Sequence, residues 1–245
     1  MQENYDDTAR DLSLSTLDAL VARFNLREIG APYKALVSPM SPAPVGAIRM
    51  FSGEKISKLV YIGVTVPPIG LDSHMYFAFT PPGSLVPHFT LDSVNAGPHL
   101  AFHLDLVPRA DLGANLEYLN HAFQPLTADF DGARKIEGLT PAHLSPRQYA
   151  IMSPWMLAFR ATESAFAAMR PHVDRYLSFW GDLVEQGIPA EMVPGATSEN
   201  LAERDRRNRA ALFNPEVDPV WNQMDRLLGP QTCAEMRDIL KRQEI

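Results

Sequence analysis

The sequence predicts an α+β protein, a three-layer α/β/α sandwich in which a central antiparallel β-sheet is flanked by helices. One observation is a run of strand-like segments between residues 47 and 106, joined by short turns, which is typical of an antiparallel meander. The other is a helical pattern before this run and several after it, which can cover both sheet faces. We predict one domain over 1–245, with an N-terminal helix and Pro-rich linker at 1–43 and the sheet and C-terminal helices at 44–245.

Composition and charge exclude several classes of function. The chain has 245 residues, 46% of them apolar, and its net charge of −7 disfavours a nucleic-acid partner. No apolar run approaches the ~20 residues of a membrane span, and the acidic segment 1–7 is unlike a secretory signal, so a cytoplasmic location is expected. Cys233 is the only cysteine, too few for an iron–sulfur cluster, and no glycine-rich nucleotide loop is present. Redox chemistry would therefore need electrons from an external donor.

The first part of the chain begins with a helix, predicted over 8–27 with Thr16 as a cap for the apolar positions after it. A linker follows that is rich in proline (Pro32, Pro39, Pro42 and Pro44). Strands are then predicted at 47–51, 56–66 and 75–80.

The second part is predicted to be mainly helical. A helix is expected at 115–123, a loop at 124–145 and a further strand at 155–160. The strongest helical pattern runs over 163–186, where Pro171 marks a kink or a first turn. Further helices are predicted at 198–212, which is nearly all polar, and at 220–228 and 232–242.

Two alternating segments, 87–92 and 99–106, are predicted to form the central hairpin with 95–98 as its loop. Successive side chains of a strand point to opposite faces, so one face is polar and the other apolar. The polar face carries His88, Thr90, Asp92, His99, Ala101, His103 and Asp105. Pairing Val94 with His99 sets Asp105 directly opposite His88. So many imidazoles and carboxylates are unusual for a solvated face, and we predict that they line a cavity between the sheet and the C-terminal helices.

Three interpretations of this polar face are open. A histidine and a carboxylate can share a proton and pass it to a ligand. The same pair can also be a buried hydrogen bond that only satisfies both groups. A metal site built from His88, His103 and Asp105 is the third interpretation. Our expectation is that no metal ion is bound.

Several short motifs give the chain a resemblance to a known family. The segments 46–53, 87–89, 104–112, 153–154 and 170–173 resemble red chlorophyll catabolite reductase. Asp218-Pro219, followed by 227–229, is similar to the related ferredoxin-dependent bilin reductases. The motifs occur in order from about residue 44 to 240, and their order makes the match more specific than any single motif.

This resemblance implies a reductase of a linear tetrapyrrole, biliverdin or red chlorophyll catabolite, with electrons from reduced ferredoxin and no tightly bound cofactor. It implies four catalytic residues, which are His88, Asp92, Asp105 and Asp218. His88 and Asp105 occupy the positions of a central His and Asp of bilin reductases, and Asp92 stands where the chlorophyll-catabolite enzyme has a Glu. Ile62 replaces a Glu of the phycocyanobilin-type enzymes, which puts reduction of a vinyl group in doubt. A non-catalytic bilin or haem carrier is the alternative function.

Other residues receive predictions of their own. Asp218 precedes Pro219 and can cap the helix at 220–228, deliver a proton, or do both. His103 is expected to bind the substrate, and Arg49 and Arg160 are candidates for its propionates, since a guanidinium binds carboxylate in a bidentate manner. Arg206 and Arg207, with Arg204 and Arg209, form the densest basic cluster and are predicted to dock ferredoxin.

Overall fold

The computed structural model describes residues 8–30, 35–97 and 99–244. The acidic segment 1–7, Pro32, Pro98 and the side chain of His99 lie outside the described residues, so their predictions are not addressed by it. The helices are α1 Thr8–Arg23, α2 Leu116–Ala122, α3 Thr127–Ala133, α4 Pro146–Ile151, α5 Glu163–Ala168, α6 Arg170–Gln186, α7 Ser198–Leu212, α8 Val220–Leu228 and α9 Pro230–Lys241. The strands are β1 Arg27–Ile29, β2 Leu36–Ser38, β3 Ser41–Ser52, β4 Lys58–Val66, β5 Leu71–Phe79, β6 His88–Ala96, β7 His99–Val107, β8 Leu139–Pro141 and β9 Leu157–Ala161.

One antiparallel sheet forms the middle layer, in the order β1-β3-β4-β5-β6-β7-β9-β8, with β2 also paired to β3. The strands β3 to β7 are neighbours in both sequence and space, so the predicted meander is confirmed. An apolar cluster that includes Phe89 and Leu104 packs the sheet against α1 and α6. A second cluster, with Val60 and Trp221, packs the opposite face against α8 and α9. The predicted α/β/α sandwich is therefore confirmed.

The register of the central hairpin differs from the predicted one by two residues. His99 pairs with Ala96 and not with Val94, so Asp92 lies opposite His103, Thr90 opposite Asp105, and Val107 opposite His88. Gly97 has a φ of 67°, a left-handed conformation that glycine adopts without strain, and this permits the tighter turn. A shift of two residues keeps each side chain on its predicted face. The predicted pairing of His88 with Asp105 is wrong, although both remain on the polar face.

Several element predictions also need correction. Thr16 is not a cap but lies inside α1, where its hydroxyl donates to the carbonyl of Leu12 at 2.6 Å. The described part of the proline-rich segment forms β2 and the start of β3, since proline is tolerated at sheet margins. The predicted loop at 124–145 contains α3 and β8. The long helix predicted at 163–186 divides into α5 and α6, and Pro171 is in the first turn of α6.

The elements that face the cavity have well-defined starts. The side chain of Thr197 accepts the backbone N–H of Asn200 and forms a capping box at the start of α7. A second capping box, between Ser145 and Gln148, begins the short helix α4. These caps fix the starts of α7 and α4, and α4 contacts the segment before α8 through Gln148 and Asp218.

Candidate functional site

A cavity of about 610 Å³ lies between the polar sheet face and the C-terminal helices. Its sheet wall includes Thr90, Asp92 and His103, and its helical wall includes Asp218 and Trp221. Most of the remaining lining is apolar, and it includes Met75, Phe77, Met152, Phe213, Met224 and Leu227. The cavity is therefore suited to a largely apolar ligand that carries a few polar groups.

Asp92 and His103 form the polar centre of the sheet wall. They are a cross-strand pair, and Asp92 Oδ2 lies 3.4 Å from His103 Nδ1. Burial opposes the charged form of the imidazole, but the hydrogen bond and charge of Asp92 outweigh burial and raise the pKa of His103. His103 therefore holds a proton to higher pH than an ordinary histidine does.

Asp218 reaches the same cavity from the segment before α8. Its Oδ1 accepts the backbone N–H of Val220 at 3.0 Å and the amide of Gln148 at 3.3 Å. Burial and the negative charge of Asp92 raise the pKa of Asp218, against the opposing effects of the Val220 N–H and of His103. The residue thus helps to begin α8 and also presents a carboxyl group that protonates more readily than usual.

Four polar atoms of the cavity residues are buried without a hydrogen-bond partner among the described residues. They are Thr90 Oγ1, Asp92 Oδ1, His103 Nε2 and Trp221 Nε1. Buried polar groups in folded proteins are normally paired, so such a concentration marks a place where a ligand or water completes the bonding. These atoms include both donors and acceptors, and they lie on both walls.

Asp105 is on the predicted face but not in the cavity. It is fully buried, and Ser153 donates to both of its oxygens, from Oγ at 2.5 Å and from the backbone N–H at 3.0 Å. Burial raises the pKa of Asp105, although both Ser153 bonds oppose this. The residue therefore ties β7 to the segment before β9, and its partner is Ser153 and not a histidine.

His88 is also removed from the cavity, and its partner is not Asp105. Its Nδ1 accepts the backbone N–H of Thr80 at 3.1 Å, and its Nε2 donates to Asp205 Oδ1 at 2.6 Å. Burial and the nearby guanidinium of Arg109 lower the pKa of His88 to about 3, so the ring is neutral at neutral pH. The same carboxylate binds Arg209 through Oδ2 at 2.9 Å. We call His88, Arg109, Asp205 and Arg209 the buried network.

The buried network extends to the C-terminal segment. Gln243 donates to Asp205 Oδ2 at 2.8 Å, and Arg209 donates to the carbonyl of Arg242. Lys58, at the start of β4, donates to the carbonyls of Ile239, Arg242 and Glu244. Burial lowers the pKa of Lys58 to about 7, and the nearby Arg209 adds to this effect. The sequence does not reveal this network, because the pattern of α7 is that of a solvated polar helix.

The two arginines predicted to bind propionate lie on opposite sides of the sheet. Arg49 forms a bidentate ion pair with Glu28, at 3.0 and 2.8 Å, and stacks over Phe51 on the side of α1, so it does not reach the cavity. Arg160 lines the cavity, as does Arg226 on α8, for which the sequence carries no signal. Both are exposed, and neither has an ion pair among the described residues.

The basic cluster of α7 divides in the structure. Arg206 and Arg207 are exposed, with 60% and 75% of their side chains accessible, and both pair with Glu203. Arg209 is fully buried, and Arg204 donates to the carbonyl of Pro108 at 2.8 Å. Only two of the four arginines in the predicted basic cluster, Arg206 and Arg207, are therefore exposed.

The metal interpretation receives no geometric support. His88, His103 and Asp105 do not converge, and no group of three or more His, Cys, Asp or Glu residues with metal-site geometry occurs within 8–30, 35–97 and 99–244. In the same residues, no helix is long and apolar enough to cross a membrane.

The sequence matches no protein-family model and no curated protein. In three dimensions the chain is similar to the crystal structure of phytochromobilin synthase from tomato in complex with biliverdin, with a TM-score of 0.76 at 16% identity. The match covers 96% of this chain and 83% of that chain. Structural similarity at this sequence identity establishes the fold alone. The reaction has to be inferred from the residues of the site. The chain thus has the fold of the tomato phytochromobilin synthase.

Proposed function

We propose that the protein is a ferredoxin-dependent reductase of a linear tetrapyrrole, biliverdin or red chlorophyll catabolite, that acts in the cytoplasm. The observation that carries the proposal is the group formed by Asp92, His103 and Asp218 in a largely apolar cavity. The fold, shared with a protein that binds biliverdin in its crystal structure, supports the same class of ligand.

Reduction of one double bond in a tetrapyrrole takes up two electrons and two protons. The electrons come singly from reduced ferredoxin, and no tightly bound cofactor is required. His103 and Asp218 both have raised pKa values, so at a given pH each is protonated to a greater extent than an ordinary histidine or aspartate, and each is a candidate proton donor to the pigment. Asp92 orients the His103 ring through its Nδ1 and supports its protonated form.

Arg160 and Arg226 provide the sites for the acidic side chains of the pigment. Both line the cavity and are exposed, which places positive charge where carboxylate groups would reach solvent. Two such cations favour a substrate with two carboxylates, which is a property of biliverdin.

The proposed docking surface for ferredoxin is the exposed face of α7 with Arg206 and Arg207. Ferredoxins are acidic, and charge-steered association weakens as salt shortens the screening length to ~10 Å. Reversing both residues to Glu should raise the KM for ferredoxin several-fold and abolish its salt dependence. Arg170→Glu, which changes an exposed, ion-paired arginine on α6, is the matched control and should leave the KM unchanged.

The decisive experiment combines the protein with biliverdin and then with a ferredoxin-reducing system. Binding should shift the pigment absorption at once, and reduction should then change the spectrum with time, with the product identified by chromatography. A shift that never develops further would support the non-catalytic carrier. Activity that a chelator removes and a metal ion restores would contradict the absence of a metal in this proposal.

A further inference from the structure

We infer that Gln148 is a positioning residue that, together with the backbone N–H of Val220, occupies Oδ1 of Asp218 and leaves Oδ2 to carry the proton. This inference rests on the proposed function, since it assigns a role to Asp218 in proton delivery. It deepens that proposal by naming a residue outside the reacting group.

The inference starts from the helix that carries Gln148. Its Oε1 accepts the backbone N–H of Ser145 at 2.9 Å, and Ser145 in return accepts the backbone N–H of Gln148. This capping box holds the amide with its oxygen directed to the helix start, so its nitrogen is left to face away. That nitrogen donates to Asp218 Oδ1. The orientation of the amide is thus fixed by the helix and not by Asp218.

The second step concerns the two oxygens of Asp218. Oδ1 receives two donors, the Gln148 amide and the N–H of Val220, whereas no described group donates to Oδ2. An oxygen that already accepts two hydrogen bonds is a poor site for a proton, because the proton would meet both donors. When Asp218 is protonated, the hydrogen therefore resides on Oδ2, the oxygen left available to a ligand in the cavity.

The charged groups that act on Asp218 are Asp92 on β6 and His103 on β7, and they oppose each other. Gln148 adds a neutral donor from α4, which stabilises the carboxylate form without adding charge. Gln148→Glu keeps the acceptor that Ser145 needs, removes the donor, and places a second carboxylate beside Asp218. Like charge at this distance disfavours ionisation, so the titration of Asp218 should move to higher pH.

The test is an infrared titration of the ligand-free protein, with the carboxyl signal of Asp218 assigned by its loss in Asp218→Asn. We expect Gln148→Glu to raise the midpoint by at least ~1 pH unit. Gln148→Met, which removes the donor without adding charge, should raise it less. In turnover with biliverdin, the alkaline limb should move in the same direction. Because the titration needs no pigment, failure of this inference is distinguishable from failure of the proposed reaction, which would appear as no turnover by the unaltered protein.

Ser145→Ala is the matched control, since it removes one half of the capping box and leaves the Gln148 amide in place. It should lower stability and leave the midpoint of Asp218 unchanged. An unchanged midpoint in Gln148→Glu, or an equal shift in Ser145→Ala, would overturn the inference.

Discussion

Asp92 and Asp105 lie on neighbouring strands of one sheet face, but only Asp92 is available to a ligand. Both oxygens of Asp105 are occupied by Ser153, whereas Asp92 Oδ1 has no partner among the described residues. The two carboxylates therefore differ in their bonding: Asp105 is held by Ser153, whereas Asp92 has an oxygen open to the cavity.

Asp92→Asn should slow reduction by about 10²–10⁴-fold and leave pigment binding nearly intact. His103 has a raised pKa, so its protonated form is present below that pKa and is lost as pH rises through it. The rate of the unaltered protein should accordingly fall on the alkaline side of this value. The variant lacks the charge that raises the pKa, so its alkaline limb should move to lower pH. A pH–rate profile with an unmoved limb would assign the proton to Asp218.

Asp105→Asn should chiefly affect stability. An asparagine amide cannot accept from both the Oγ and the backbone N–H of Ser153, so one buried donor loses its acceptor, at a cost of about 1–3 kcal/mol. Urea denaturation measures this loss, and Ser153→Ala is the control, since it removes one of the same bonds. Turnover of folded Asp105→Asn that falls as far as in Asp92→Asn would contradict a structural role.

At the scale of elements, α7 shows how a polar helix can be part of a core. Asp205 and Arg209 are separated by one turn, so they share a helix face, and that face is fully buried against His88 and Arg109. The arginines of the outer face pair with Glu203 and remain exposed. One helix therefore combines a buried ion pair with a solvated basic surface.

Asp205→Asn should destabilise the fold by about 3–5 kcal/mol, because it leaves Arg109 and Arg209 buried without their counter-ion. The folded-state pKa of Asp205 is depressed, so its stabilising effect is present above the unfolded value of ~3.9 and is lost as pH falls below it. Thermal unfolding between pH 3 and pH 7 measures both effects. Glu203→Gln, on the exposed face of the same helix, should leave stability nearly unchanged, because solvent screens its ion pairs with Arg206 and Arg207.

The central hairpin shows what the sequence can predict about the site. Alternation assigned Asp92, His103 and Asp105 to the correct face, because a period of two depends on the strand alone. Alternation could not show which residues of that face line the cavity and which are covered, since this depends on the helix or segment that packs over each position. His88 and Asp105 lie under α7 and the Ser153 segment, and these contacts join residues 48 to 117 positions apart. Gln148 and Arg226 could not be predicted either, because their positions at the cavity also depend on contacts between segments that are distant in sequence.

At the scale of the whole molecule, the cavity is built by parts of the chain that are distant in sequence. Its sheet wall includes residues within 71–107 and within 158–160, and its opposite wall includes residues within 142–152 and within 212–227. A ligand that contacts both walls therefore stabilises the association of these walls, and with it the folded protein.

Biliverdin should raise the unfolding temperature in a concentration-dependent manner. A ligand that binds only the folded state stabilises it by about 2.7 kcal/mol at a hundred times its Kd. Thermal unfolding at increasing pigment concentration measures the effect. Ala101→Trp, which fills the floor of the cavity, should lose the shift. An equal shift in that variant would place the pigment elsewhere.

The contacts of Lys58 have a consequence for the order of events during synthesis. The ammonium of this strand residue donates to carbonyls that follow it in the chain by 181 to 186 positions. While the nascent chain lengthens, the meander can form its ladders from neighbouring strands, but Lys58 has none of these acceptors. If the sheet formed before the C-terminal segment docked, Lys58 would either be buried without its charge or remain hydrated. The hydrogen bonds of Lys58 can therefore form only after α9 has been synthesised and has docked against the sheet.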